Sequence, residues 1–286
     1  MYPTWHEIEV AAYHRWQRRG HHHGNDREDW IAAEKDLTFA YNYRYIARHR
    51  LTLPDGGAPT LLGRGETGNR RHRCRFREQA EPSAVFPPGL PALPRLTGNS
   101  ALVAWDECEE CRAAYDAHLA APFESFARPL LAETPPEHPR ATVPAPALKA
   151  LVRFALSLMP ADELHHFGDT LEWVANPDHD RDAAVLEDLG CRVYLTPAPI
   201  AVPFAALARR ADDEAPWPYM VFFLGTSRVV FQTHLPLCPR DEELEGTAVR
   251  PPELSMSLGD GPAHRPSRSF YLPVAPLGRP VAAGSF

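Results

Sequence analysis

The sequence predicts an α+β fold in three parts: an N-terminal helical hairpin, a degenerate ββα or zinc-ribbon-like module, and C-terminal helices on a small antiparallel sheet. Three observations carry that expectation. Apolar residues recur at helical spacing within residues 5–50 and again within 147–174, three cysteines gather between 70 and 131, and runs rich in Val, Tyr and Phe follow position 190.

In the first part, Ile8, Ala12, Tyr13 and Trp16 form one stripe that stops at Arg19-Gly20, where a glycine cap is expected. A second helix follows, with Asn25 or Asp26 as its cap and Glu28 and Asp29 in its positive first turn. Trp30, Ala33, Leu37, Ala40 and Tyr41 continue the stripe. His21-His22-His23 lies in the turn and reads as solvated. The residues Ala12-Tyr13, Trp16, Arg19-Gly20, Gly24, Asp26, Asp29-Trp30 and Ala33-Glu34 resemble the pattern of a short bacterial domain of unknown function. That resemblance implies a helical fold and no activity, so residues 1–53 are expected to pack or to dock a protein partner.

Residues 54–69 turn to Gly, Pro and Thr and read as a linker, including the glycines of Gly63-Arg-Gly65-Glu-Thr-Gly68, which no strand precedes. The ribbon module occupies 70–131, and a proline-rich linker 132–146. The unit at 147–240 opens with Leu148, Leu151, Val152, Ala155, Leu156 and Met159 on one helix face, stopped at Pro160. A further helix over 161–174 turns Leu164, Phe167, Leu171 and Val174 inward. Strands are expected at 191–195, 219–224 and 228–233, the last two joined by a turn at Gly225-Thr226-Ser227. The tail, 241–286, is expected to be largely flexible, with 269–274 as a late edge strand.

Composition narrows the class. With 286 residues, 44% hydrophobic and 23% charged, the chain is neither disordered, collagen-like nor coiled-coil. Its formal charge of -7 supplies no global positive field, so a nucleic acid needs a local basic patch. Residues 1–10 lack a basic leader and an apolar run, and no stretch approaches the length of a membrane span, which points to a cytoplasmic protein with no membrane partner. Five cysteines without a secretory signal predict buried or metal-bound thiols rather than disulfides.

Candidate chemistry lies in the cysteine region. Cys108-Glu-Glu-Cys111 has the spacing that places two thiolates on one edge of a zinc tetrahedron, and Cys74 offers a third sulfur. The partner expected three residues after Cys74 is Arg77, which cannot coordinate. His72 or His118 is left to complete one structural zinc site; otherwise the thiols pack without metal. His165-His166 reads as a helix edge, and Asp169 with Asp178-His179-Asp180 as part of a polar turn.

The run Arg73-Cys74-Arg-Phe76, then Leu93-Pro94 with Gly98-Asn99, then Asp106-Glu107-Cys108-Glu-Glu-Cys111, resembles the zinc-bearing nuclease family named for its His-Asn-His motif. Over residues 73–131 the resemblance implies two cysteine pairs around a β-hairpin, followed by a helix starting near the second pair. It implies a metal-dependent endonuclease. Where that family has its general-base histidine this sequence has Pro91, after the last cysteine it has Arg112, and Arg77 replaces a sulfur. Phosphodiester hydrolysis needs a base and a charge-neutralising ion, so the resemblance implies an eroded site.

Arg64, Arg70, Arg71, Arg73, Arg75 and Arg77 place six positive charges against Glu66 alone within residues 64–77. On one face they would meet nucleic-acid phosphates. Asp106, Glu107, Glu109, Glu110 and Asp116 would cancel them if the cysteines draw the two segments together. The leading expectation is a non-catalytic nucleic-acid-binding or accessory protein. The alternative is a protein-interaction module using residues 1–53 with no nucleic-acid role, and the third is a residual metal-dependent nuclease.

Overall fold

A computed structural model describes residues 1–64, 72–136, 141–176, 189–236, 238–244, 250–255 and 267–275. Helix α1 (Trp5–Arg18) starts from a capping box in which the Thr4 and Glu7 side chains and backbones satisfy each other. It ends where Gly20 takes a left-handed φ of 76°. Helix α2 (Asp26–Asn42) runs back along it. The buried Arg19 guanidinium joins them, its Nε donating to Asp29 Oδ1 at 3.1 Å.

The chain then departs from the expected helix. Strand β1 (Tyr43–Arg50) follows α2 without a loop and pairs antiparallel with β5 (Phe204–Arg210), at the edge of the main sheet. The helical spacing read over residues 5–50 therefore holds only to Asn42. The exposed Arg44, Arg48 and Arg50 of β1 suit a solvated edge, Tyr43, Tyr45 and Ile46 suit a strand, and the ladder of β5 fixes the conformation.

The sheet has six antiparallel strands in the order β1-β5-β6-β7-β4-β8, with β4 (Gly190–Leu195), β6 (Met220–Thr226), β7 (Val229–His234) and β8 (Arg268–Pro273). Tight pairing of Thr226 with Val229 puts the hairpin turn at Ser227 and Arg228, with Ser227 at a φ of 53°. Side chains alternate across it. Leu207, Phe222, Leu224, Phe231 and Val193 face the principal core, whereas Ala206, Ala208, Val221, Phe223 and Tyr194 face a second cluster covered by Phe39 of α2 and by Leu254. Strand β8 and the packed residue Leu254 thus give the described parts of the tail read as flexible, 250–255 and 267–275, fixed places against the sheet.

Helix α5 (Ala145–Leu158) is buried along almost its whole length, between the sheet and the cysteine module. The second helix expected over 161–174 is broken into α6 (Ala161–Leu164), a 3₁₀ turn (His165–Phe167) and α7 (Gly168–Ala175). Phe167 and Val174 are buried as expected. In the cysteine module a short parallel pair joins β2 (Thr60–Leu62) to β3 (Leu102–Ala104), so part of the stretch read as linker is a strand. Helix α3 (Glu109–Tyr115) continues through one π turn into α4 (Ala121–Leu130). The core that includes Cys74, Cys108 and Cys111 is continuous with that of α5 and the sheet.

Candidate metal centre

Two local structures bring the cysteines together. Cys74 opens a tight turn in which its amide donates to Gln79 O at 2.6 Å and its carbonyl accepts from Glu78 N at 2.9 Å, with Arg73 and Ala80 bridging antiparallel. Cys108 caps α3 and Cys111 sits in its first turn. The Arg75 amide, donating to Asp106 O at 2.8 Å, ties the turn to the segment before α3.

All three sulfurs are buried and lie within 4.8 Å of one another, with Cys74 and Cys111 Sγ 3.6 Å apart. Two sulfurs bound tetrahedrally to one zinc stand about 3.8 Å apart, from a metal–sulfur distance of about 2.3 Å. The observed separation fits that edge. Cys74 is the sulfur that ionises first: hydrogen bonding to Cys111 and to the backbone amides of Cys108, Phe76 and Arg77 holds it well below an ordinary thiol. Burial pushes Cys108 up, and the Cys74 contact together with burial pushes Cys111 up. A cation would reverse those upward shifts by stabilising all three thiolates.

Among the described residues the group contains these three side chains and no fourth. Arg77, in the position of the missing sulfur, turns to Glu110 at 2.7 Å. His72 is not brought to the sulfurs. Its ring packs edge-on against Trp105 at 4.2 Å and near Phe86, and its Nδ1 lies 3.4 Å from Glu81. His118 is exposed and borders a small cleft beside Cys111, Arg77 and Tyr115.

Among the described arginines of the basic run, Arg73, Arg75 and Arg77 each pair with an acid. Arg75 is buried; its Nε and Nη2 hold Asp106 at 2.8 and 2.7 Å, and its Nη1 donates to the α5 C-terminal carbonyls Leu156 and Met159 at 2.5 and 2.9 Å. It is not free to meet a phosphate. Arg73 pairs with Glu78 at 3.1 Å, and Arg64 lies over the Trp105 ring at 5.0 Å. Arg70 and Arg71 lie outside the described residues, as do Gly65, Gly68 and Asp178-His179-Asp180.

Arg153, which the sequence reading passed over, completes the wall of the centre. It is buried over the Phe76 ring at 3.9 Å and donates to Glu107 Oε1 at 2.6 Å and to the Cys111 carbonyl at 3.1 Å. An arginine inside the apolar run Leu151-Val152-Arg153-Phe154-Ala155 was the available signal, because a charge there needs a buried partner. The positions bearing catalysis in the resembled family hold no base. Pro91 bridges Val103, Arg112 donates to the Pro91 carbonyl at 3.0 Å, and Asn99 spends its amide on the Leu93 and Leu102 backbone.

Comparison with protein-family models finds one match, over residues 3–38, to a protein family of unknown function, DUF2934. The matched stretch spans α1 and most of α2. No curated protein and no solved structure matches the chain. No helix among the described residues is long and apolar enough to cross a membrane.

Proposed function

We propose that this protein is a non-catalytic accessory protein that docks a protein partner through α1 and α2, on a scaffold descended from the His-Asn-His nuclease module. The carrying observation is where apolar surface stands exposed. Four of the ten large apolar side chains exposed among the described residues, Trp5, Val10, Tyr13 and Ile31, lie on α1 and α2, with Trp5 at 67% and Tyr13 at 52%. Such a concentration on one small unit is the mark of an interface.

The neutralised arginines favour this reading over nucleic-acid binding. Glu78, Asp106 and Glu110 each hold one arginine of the run, which lowers the uncompensated charge open to phosphate contact. In the same reading Cys74, Cys108 and Cys111 hold one structural zinc that pins the turn at Cys74 to α3, with a fourth ligand from solvent or His118. The metal would neutralise the thiolates and supply folding energy rather than activate water, since Arg77 and Arg153, neither of them a base, border the centre. The five free cysteines suit a reducing cytoplasm.

Electrophoretic retardation of single- and double-stranded DNA and RNA at low salt tests this reading against its rival. The full-length protein is expected to retard none of them. Retardation that Arg73→Ala with Arg77→Ala weakens across all sequences, with a flatter salt dependence, would return the function to nucleic-acid binding.

A further inference from the structure

The paired helices carry a cleft that apolar packing alone does not account for. Its walls include Tyr13 and Trp16 from α1 and Trp30 from α2, and its rim includes Glu9 and Asp26. The Tyr13 and Trp16 rings are 5.5 Å apart at 37°, and Trp30 lies 5.0 Å from the exposed Trp5. Trp16 is half-buried with the His21 ring perpendicular to it at 4.4 Å, Trp30 is half-buried, and the exposed Tyr13 ring beside them offers the negative face of its quadrupole.

The formal charge around these rings is negative. Besides His23, which packs 5.5 Å from Trp16, the titratable side chains of the lining are Tyr13 and carboxylates, with neither lysine nor arginine. Asp29 is spent on the buried Arg19, but Asp26 takes no ion pair among the described residues, and Glu9 meets only the exposed His6 at 3.4 Å. The positive end of α2 offsets about half a charge, less than the carboxylates of its first turn bring. An apolar partner seated here would strip water from Glu9 and Asp26 without replacing it, a desolvation cost that pairing with a cation offsets.

We propose that this cleft binds the guanidinium of an arginine side chain presented by the protein partner. A planar guanidinium stacks on Tyr13 and the indoles while its N–H fork meets the Asp26 carboxylate; a compact ammonium fits that combination less well. The proposal rests on the docking reading of α1 and α2 and names the chemistry its partner must carry.

The test is calorimetric titration of the full-length protein with an acetylated, amidated Gly-Arg-Gly-Arg-Gly peptide, against the same peptide with citrulline at both arginines. Citrulline keeps the shape and removes the charge. The arginine peptide is expected to bind with a Kd of about 1 mM or tighter. The citrulline peptide, and separately the Tyr13→Ala with Asp26→Asn variant, are expected to bind about tenfold more weakly. Both positions are exposed, and Asp26→Asn alone preserves shape and an N-terminal helix residue, so a loss there reads charge rather than folding. Equal binding of the two peptides, unchanged binding by the variant, or no binding to wild type at about 10 mM overturns the proposal. Partner capture that is lost on Trp5→Ser with Tyr13→Ser while the peptides go undistinguished would keep the docking reading and remove only the guanidinium.

Discussion

The Arg112 guanidinium donates to the Pro91 carbonyl at 3.0 Å, with its Nε 3.2 Å from Asp116. Those are the two positions that the nuclease resemblance assigns to the general base and to the residue after the last cysteine. They meet in space, and the contact between them is a structural hydrogen bond. The full-length protein is accordingly expected to show no nicking of supercoiled DNA with Mg, Mn, Ni or Zn. Metal-dependent nicking that is lost on Cys108→Ser would restore the enzyme reading.

Arg75 joins the cysteine turn to the end of α5 through a buried carboxylate and two carbonyls. Removing it leaves Asp106 with an unpaired, largely buried charge and the helix end without donors. Arg75→Met is expected to cost about 3–5 kcal/mol in urea unfolding, against less than about 1 kcal/mol for the exposed Arg73→Ala. Equal small losses would show that the buried pair does not anchor the module.

His234 is buried in β7, its Nδ1 has no hydrogen-bond partner among the described residues, and burial holds its pKa down to about 4. The unfolded chain takes up the proton near pH 6.5, before the folded one does. The associated stability is therefore complete above that value and is lost as pH falls from 6.5 towards 4, by about 3 kcal/mol. Urea unfolding of wild type and His234→Leu at both ends of that range measures it: the wild type should lose more than the variant by about that amount. Parallel pH profiles would contradict the assignment.

The cysteine centre predicts about one zinc per chain in protein whose His21, His22 and His23 are replaced by alanine, with loss of the metal on Cys108→Ser. Chelation should lower the melting temperature of the first and leave the second unchanged. Metal-free protein with an unaltered melting temperature would mean that packing alone holds the three thiols.

Much of this was legible where a side-chain period repeats locally. Helix α1 announced itself through Ile8, Ala12 and Trp16, and β6 and β7 through a Val- and Phe-rich hairpin. Strand β5 was not, because Phe204-Ala-Ala-Leu-Ala-Arg-Arg210 is made of good helix formers and becomes a strand only between β1 and β6. Strand β1 was hidden because it follows α2 directly, with no glycine, proline or loop to mark the change, although Tyr43, Tyr45 and Ile46 suit a strand. In the cysteine region the sequence identified the sulfurs and the acids opposing the arginines. It left open which arginine takes which acid, since Arg75 finds Asp106 and Arg153 finds Glu107 across long separations that only the assembled core sets.

Deletion of residues 1–53 is a poor probe of docking, because it removes β1 from the sheet and the fully buried Leu51 from the core. The direct measurement is quantitative affinity capture from a native cell extract with full-length wild type, with Trp5→Ser plus Tyr13→Ser, and with Arg73→Ala plus Arg77→Ala, each after nuclease treatment. Docking through α1 and α2 requires one protein recovered in fixed ratio by the wild type and the arginine variant and lost from the aromatic variant. Equal recovery by all three, or recovery that the arginine changes or the nuclease abolish, would contradict it.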